Sequence, residues 1–321
     1  MYTMILSVSR RTDVPAWYSE WFFQRLKEGY VLVRHPMNYH QVGRIAVNPD
    51  VVDGIVFWTK NPTPMLDRLG ELENYPCYFQ VTLNAYGRDV EPNIPSKSEV
   101  LIPAFQALSQ RLGRERVLWR YDPIFLSQKY TVEYHCRYFE RLAQRLHPYT
   151  ELCTISFIDY YRGTHRRLDP LVEREIPEHE MLELAGRMSQ IAARCGLTLC
   201  TCAEAIDLER FGIGHGACID RRRLERIGGA RLEVGQAASQ RPACGCAEAV
   251  DIGMYNTCRG GCLYCYANHN QKRVGQNWEV HHPDSPLLCG ELTPEDRIIE
   301  RAVHSCKSEQ MSLFSEDGPE L

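Results

Sequence analysis

The sequence predicts an α/β protein built as a full or partial TIM-like (βα) barrel. Two observations carry that expectation. β-Rich runs alternate with amphipathic helical stretches six times in the first two-thirds of the chain, and no glycine-rich phosphate loop follows any run. Alternation implies parallel strands joined by right-handed crossovers. The missing phosphate loop argues against an open dinucleotide-binding sheet.

The strand runs are ILSVSRRTD (5–13), GIVFWTKNP (54–62), CYFQVTLNAYG (77–87), VLWRYDP (117–123), CTISFIDYY (153–161) and LTLCTCAE (197–204). A helix with Trp17, Trp21, Phe22 and Leu26 on one side follows the first run, and Gly29 closes it. Further helical stretches fall near 64–72, 98–112, 131–146 and 177–195. In the last, Pro177 opens the helix, Met181, Leu184, Met188, Ile191, Ala192 and Cys195 form its apolar stripe, and Gly196 ends it. An extra hairpin is expected between Val31 and Val47. After Glu204 the chain turns rich in Cys, Gly and Arg and loses periodicity. The expected organisation is a barrel core over 1–204, a cysteine-rich, metal-organised region over 205–290, and a C-terminal part over 291–321. In that last part a helical segment runs from about Leu292 to Cys306, and a polar tail follows.

Composition narrows the function. A net charge of −4 over 321 residues excludes a chain that is cationic throughout, though not a local basic groove. No run approaches the ~18 apolar residues of a spanning helix. The opening MYTMILSVSRRTD has no export-signal pattern, so a cytoplasmic, reducing setting is expected. Fourteen cysteines then point to metal or redox chemistry rather than disulfides.

Barrel enzymes carry their chemistry at the carboxyl ends of the strands. Here those ends hold Arg10, Arg11 and Asp13, then Thr59, Lys60 and Asn61, then Asn84, then Arg120, Tyr121 and Asp122, then Asp159, then Cys202 and Glu204. This concentration predicts a polar cavity, with Arg10, Asp13, Lys60, Arg120, Asp122 and Glu204 as candidate catalytic residues.

The sharpest motif is Cys258-Arg-Gly-Gly-Cys262-Leu-Tyr-Cys265. Gly260 and Gly261 let the loop curl. Three thiolates hold three irons of a 4Fe-4S cluster and leave the fourth open to a cofactor or substrate. His269 is the nearest extra ligand, which keeps zinc as an alternative. Cys202, Cys218, Cys244 and Cys246 form a second set, sufficient for another 4Fe-4S cluster or for zinc. Cys200 is expected on the opposite strand face from Cys202 and is left out of that set. Cys77, Cys136, Cys153 and Cys195 read as small core side chains. His135, His147, His165 and His179 read as surface or capping residues. His281, His282 and Asp284 either line the cluster mouth or form a plain turn.

The pattern CX3CXΦC, with Φ aromatic, resembles the cluster signature of the radical S-adenosylmethionine superfamily, and NTCRGGCLYCYAN resembles its spore-photoproduct-lyase-like branch. Over nearly its full length the chain also resembles the family known as domain of unknown function 1848. SRRTDVPAWYSEWF, VDGIVFWTKNP, LWRYDPIF, GHGACID and DIGMYNTCRGGCLYCYAN carry that resemblance. The motif follows the first strand in the superfamily but lies late here, so the chain looks like a circularly permuted relative. AVDIGMYN (249–256) is then the cluster-bearing strand, packed beside strands from the N-terminus. The resemblance implies that Cys258, Cys262 and Cys265 hold a 4Fe-4S cluster. It implies S-adenosyl-L-methionine as cofactor, contacted by the Tyr264 backbone and by Asn256, and a 5′-deoxyadenosyl radical as its product. An electron donor is then required. The Gly-Gly-Glu-type segment that holds the cofactor's amino group in the superfamily is missing.

Gln310, Met311, Ser312, Leu313 and Phe314 resemble the pentapeptide by which bacterial repair proteins and polymerases dock on the DNA sliding clamp. Two apolar anchors on a polar tether suit a peptide ligand. The leading expectation is a radical S-adenosylmethionine-like enzyme acting on a nucleic-acid or nucleotide substrate, in DNA repair. The alternatives are a non-catalytic iron–sulfur or zinc protein that binds nucleic acid or a repair assembly, and a zinc-dependent hydrolase.

Overall fold

The computed structural model describes residues 2–159, 167–169, 171–172, 174–238, 241 and 243–308. In chain order the strands are β1 (Tyr2–Thr3), β2 (Ile5–Val8), β3 (Tyr30–His35), β4 (Asn38–Ala46), β5 (Gly54–Thr59), β6 (Cys77–Thr82), β7 (Val117–Ile124), β8 (Leu152–Phe157), β9 (Thr198–Cys202), β10 (Gly214–Gly216), β11 (Val250–Asp251), β12 (Arg297–Glu300) and β13 (Val303–His304). The helices are α1 (Val14–Trp17), α2 (Ser19–Glu28), α3 (Ile102–Leu112), α4 (Val132–Leu146), α5 (Glu178–Arg194), α6 (Arg221–Gly228) and α7 (Gln271–Glu279). Thr63–Leu72, expected as a helix, winds as a tighter 3₁₀ run.

Eight strands form one sheet in the order β10-β9-β8-β7-β6-β5-β2-β11. Every pair in it is parallel. All four residues of β2 and all but one of β5 are buried, as befits a parallel sheet covered on both sides. One face packs Leu6, Phe57, Phe79, Val81 and Trp119 against the apolar stripes of α2 to α5. The other face packs Ile5, Val56, Tyr78 and Leu118 against Ile219, Leu224, Leu232 and the cysteines of the second set. The large helices therefore cover one face only, and the cysteine-rich segment covers the other.

Local signals explain the elements. The Asp13 carboxylate caps α1 by accepting from Ala16 N at 3.0 Å. Gly29, at φ +77°, closes α2 where the sequence placed the stop. The Thr131 hydroxyl accepts from Tyr134 N at 3.1 Å and starts α4. The stripe of α5 is buried at Leu184, Met188, Ile191 and Ala192, as read. The expected hairpin exists as the antiparallel pair β3–β4.

β11 lies at the end of the sheet beside β2, pairing Val250 with Leu6 and Asp251 with Ser7. This is the placement expected for AVDIGMYN. The segment 205–290 thus supplies β10 and β11 to the same sheet as the N-terminal strands.

Two structural expectations are corrected. The stretch from Leu292 to Cys306 contains no helix. β12 pairs with β4 and β13 with β1, both in parallel. Its apolar spacing mimics a helix, but sequence-distant edges capture it as strand. His135 is a core residue and not a surface one. It is fully buried, with Nδ1 2.9 Å from the Tyr121 hydroxyl and Nε2 3.0 Å from Phe125 O. Burial pushes its pKa down to about 4, so it stays neutral. The tail residues Gln310 to Phe314 and His165 lie outside the described residues. Among the described residues no helix is long and apolar enough to cross a membrane.

Candidate metal centre

The cysteine loop leaves β11 and curls against the segment that follows β6. Leu263 N donates to Val90 O at 3.0 Å, Asn93 N to Gly260 O at 3.4 Å, and Asn93 Nδ2 to Arg259 O at 2.9 Å. On the other side Asn268 Nδ2 donates to Cys258 O at 2.6 Å. The Arg259 guanidinium lies 5.3 Å from the Trp17 ring centre and 4.3 Å from that of Trp278. Gly260 sits in a tight place between the two sulfurs of Cys258 and Cys262. A Cβ there would lie 3.1 Å from Ile94 Cδ1, 3.5 Å from Cys258 Sγ and 3.6 Å from Cys262 Sγ. The two sulfurs thus flank the same point, in contact range of the Cβ that glycine lacks.

The three thiols sense one another. Burial pushes Cys258 well above its ordinary pKa, and the charges of Asp13, Cys265 and Cys262 push it further. Burial also pushes Cys262 up to about 12, partly opposed by the Lys60 ammonium. Two buried thiols so placed, Cys258 and Cys262, ionise together only if a cation joins them.

A buried polar network lies beside the loop. The Glu91 carboxylate binds Lys60 Nζ and Lys97 Nζ, each at 2.8 Å, and accepts from the Tyr264 hydroxyl. Asn84 Nδ2 donates to that hydroxyl at 3.3 Å and to Asp122 O at 3.2 Å. Arg120 Nη2 meets Asp122 Oδ2 at 2.5 Å, and Arg120 Nη1 donates to Cys218 Sγ at 2.9 Å. An unbroken path therefore runs from Lys60, beside Cys262, to the second cysteine set.

That second set is brought together. Cys202 Sγ and Cys218 Sγ are 2.8 Å apart, and Cys218, Cys244 and Cys246 share one buried cluster against which Cys202 packs. The hydrogen bond to Cys218, then burial, raises the Cys202 thiol well above its ordinary value. The expected orientation of Cys200 is wrong: residues two apart in a strand share a face. Cys200 is register partner to Thr154, whose hydroxyl is 3.3 Å from its sulfur. It is therefore held by Thr154 on the face that Cys202 also uses.

The other candidates divide. Lys60, Arg120 and Asp122 belong to the network. Asp13 stands at its edge, with Oδ2 accepting from Lys60 N at 2.8 Å. Burial pushes its pKa up to about 6. Glu204 accepts from Phe157 N at 3.0 Å, and burial pushes it up to about 7. Arg10 binds through its backbone: its N–H donates to Asp251 Oδ2 at 2.8 Å, and its carbonyl accepts from the Tyr266 hydroxyl at 2.7 Å. Asn256 Oδ1 is committed to His269 N at 2.6 Å and Asn270 N at 2.9 Å, so its side chain closes the loop. His281 packs edge-on against Tyr18 and its Nδ1 lies 2.7 Å from Leu288 O, which makes it part of a turn.

Sequence reasoning missed Glu91, Lys97, Gln80 and Asp251. Asp251 was findable, because alternation along AVDIG turns it to the face opposite Val250. Glu91 and Lys97 sit in an aperiodic loop that carries no such signal. Two open surface depressions, one with Asp220, Arg222 and Arg231 and one with His179, Arg187 and Phe211, include no residue of the network.

Among the described residues no three His, Cys, Asp or Glu side chains already stand as ligands of one ion. A 4Fe-4S cluster makes a different demand, since its thiolates bind separate irons and stand farther apart. The Cys258 loop fits it on one observation: the sulfurs of Cys258 and Cys262 flank the place a Gly260 Cβ would take. Among the described residues the buried Thr12 Oγ1, Asn84 Oδ1 and Asn268 Oδ1 lack partners, and a ligand carrying N–H or O–H groups, not the cluster, would satisfy them.

No curated protein matches the sequence. The solved structure of a Bacteroides thetaiotaomicron VPI-5482 protein proposed as an alpha-L-fucosidase is similar over 68% of this chain at 11% identity, with a TM-score of 0.29. The chain spans 62% of that protein's length, and so weak a likeness transfers neither fold nor activity. The family described as Domain of unknown function (DUF1848) matches residues 5–267, from the first strand of the main sheet through the cysteine loop, and the chain belongs to that family.

Proposed function

We propose that this chain is a radical S-adenosylmethionine-like iron–sulfur enzyme acting on a nucleic-acid or nucleotide substrate. The observation that carries the reading is the three-cysteine loop at the end of β11, with two of its sulfurs flanking Gly260. Cys258, Cys262 and Cys265 would hold a 4Fe-4S cluster, with Tyr264 as the cofactor contact. Bound there, the cluster supplies one electron to S-adenosylmethionine. The protein's own part is to orient and to exclude water. Glu91 fixes the Tyr264 hydroxyl, and the partnerless Asn84 Oδ1 accepts an N–H or O–H from whatever binds beside it.

A permuted, partial TIM-like barrel suits this reading. The sheet order starts at β11 and continues through β2 and β5, and the large helices cover one face. Fourteen free thiols suit a reducing cytoplasm. The nucleic-acid part of the reading rests on the spore-photoproduct-lyase-like motif and on the clamp-like pentapeptide at Gln310–Phe314.

The test is anaerobic incubation of the full chain with S-adenosylmethionine and dithionite, assayed for 5′-deoxyadenosine. Product formation that vanishes in Cys262→Ala supports the reading. Iron-loaded protein that makes none is a non-catalytic iron–sulfur protein, and the enzyme reading is then wrong. Binding of the sliding clamp to a peptide spanning 308–317, lost on Leu313→Ala with Phe314→Ala, tests the DNA link separately.

A further inference from the structure

We propose that Cys202, Cys218, Cys244 and Cys246 form a four-thiolate site for a single zinc ion, distinct from the three-cysteine loop. Three pieces of chain deliver the sulfurs: the end of β9, the turn before α6, and the loop around Gly245. Cys202 Sγ and Cys218 Sγ are 2.8 Å apart, Ile219 N, next to Cys218, donates to Cys246 Sγ at 3.4 Å, and Cys218, Cys244 and Cys246 belong to one buried cluster.

The 2.8 Å contact is far from cubane spacing and nearer a disulfide than a zinc pair, so the four-sulfur donor set rather than the spacing points to zinc. A disulfide would bring the first pair to about 2.05 Å. Two ligands of a tetrahedral zinc, each at about 2.3 Å from the metal, stand about 3.8 Å apart. Thiolates on separate irons of a cubane stand well beyond that. The observed contact lies between the first two cases. As they stand, no three of these sulfurs are ligands of one ion; zinc needs the first pair to part by about 1 Å, whereas a cubane would require the three pieces of chain to be rebuilt. The donor set agrees: all sulfur, no histidine or carboxylate, and four ligands that close the coordination sphere as structural zinc sites do.

The surroundings are arranged around the sulfurs. Arg120 Nη1 donates to Cys218 Sγ at 2.9 Å, and Ile219 N donates to Cys246 Sγ at 3.4 Å. Such N–H to sulfur bonds disperse the charge of a four-thiolate site and orient its ligands. The backbone is pinned as well. The Tyr78 hydroxyl and Gln80 Nε2 both donate to Cys218 O, at 2.6 and 3.0 Å, and Gln236 Nε2 donates to Cys244 O at 2.5 Å. Between α6 and β11 the described chain has neither helix nor strand, yet it buries Leu232 and Val234 against the sheet. A metal cross-link would add to the two isolated bridges, Leu232 with Lys307 and Gln236 with Ala247, that pin this segment.

The proposal makes the second centre structural and places it against the network, since Arg120 joins Cys218 to Asp122. It does not depend on radical chemistry at the first.

The experiment uses the full chain and a variant carrying Cys258→Ser, Cys262→Ser and Cys265→Ser, both purified anaerobically. Elemental analysis should find stoichiometric zinc in both. Cobalt(II) added to the metal-stripped variant should bind one to one, with the intense visible bands and sulfur-to-metal charge transfer of a four-thiolate tetrahedron. If that variant does not fold, stripped wild-type chain is compared with Cys244→Ser plus Cys246→Ser, and the four-thiolate bands should appear in the wild type alone. Zinc absent with iron sufficient for two clusters overturns the proposal in favour of a second cubane. A Cys202–Cys218 disulfide in the anaerobic protein, or a cobalt spectrum without four sulfur ligands, also overturns it. Failure of the proposed function would appear separately, as wild-type protein with zinc but no iron.

Discussion

The Ser7 hydroxyl donates to Asp251 Oδ2 at 2.7 Å, tying β2 to the strand that leads into the cysteine loop. The two are register partners despite lying at opposite ends of the sequence. The same carboxylate accepts from the Ser9 hydroxyl at 2.7 Å, Arg10 N at 2.8 Å and Gly253 N at 2.9 Å. One side chain thus sets the loop after β2 against the loop after β11. Gly253 allows the approach, since a Cβ there would fall 2.0 Å from Ser9 Oγ.

Asp251→Ala is expected to cost about 3 kcal/mol, because it strands four donors that now share one side-chain acceptor. Urea denaturation of the metal-free protein measures it. Stability within experimental error of wild type would show that solvent replaces the carboxylate and that this junction is not what orders the loop.

Iron content should separate the roles of the loop residues. Anaerobically reconstituted Cys258→Ala, Cys262→Ala and Cys265→Ala should each lose the visible cluster absorption. Gly260→Val should reduce iron while keeping the helical circular dichroism, because its side chain fills the space between Cys258 Sγ and Cys262 Sγ. Full iron content in Gly260→Val would mean that the sulfurs do not converge on a cluster there.

What could be read from the sequence follows the range of the interactions involved. The helix at 177–195 and the stop at Gly29 depend on neighbours within a few turns, and both emerged close to their expected bounds. The placement of AVDIGMYN beside β2 was also legible, through the motif it precedes. The strands after Leu292 were not, because their partners β4 and β1 lie more than 250 residues away and the local spacing of Ile298, Ile299 and Val303 suits a helix equally. The site divides the same way. Spacing within CRGGCLYC marks one centre, whereas only the folded sheet reveals that Glu91, Lys97 and Asn84 surround Tyr264.

Asp13 should give stability a pH dependence of unusual sign for a carboxylate. Burial raises its pKa from the ordinary 3.8 to about 6, against the opposing hydrogen bonds from Lys60 N, Thr59 and Ala16 N. The folded chain therefore holds a proton that the unfolded chain releases. The resulting stabilisation is complete below pH 3.8 and disappears as pH rises through about 6. Its size is on the order of 2 kcal/mol, reduced because the side chain is half-buried rather than sealed. Asp13→Asn should remove it. The difference in unfolding free energy between the two proteins, followed from about pH 4 to pH 7 in urea, should change by that amount. A constant difference would mean that Asp13 titrates normally.

Glu91 is the charge on which the Tyr264 side depends. It is 2% exposed, and Lys60 and Lys97 both bind it at 2.8 Å. Burial alone would raise its pKa, but the two ammonium groups outweigh that and hold it below its ordinary 4.5. The stabilisation is therefore present above the unfolded value and is lost as pH falls through the lower folded one. Glu91→Ala should cost about 3–5 kcal/mol, because Lys60 stays buried without its counter-charge. Much of that cost belongs to the stranded lysine and not to the lost bond. Lys60→Met combined with Glu91→Ala should accordingly be more stable than Glu91→Ala alone, a coupling that a double-mutant cycle in urea reads directly. Strictly additive losses would show that the two residues do not form one unit. Iron loading should still fall in the double variant, since the Tyr264 hydroxyl loses its acceptor whether or not the charge is balanced.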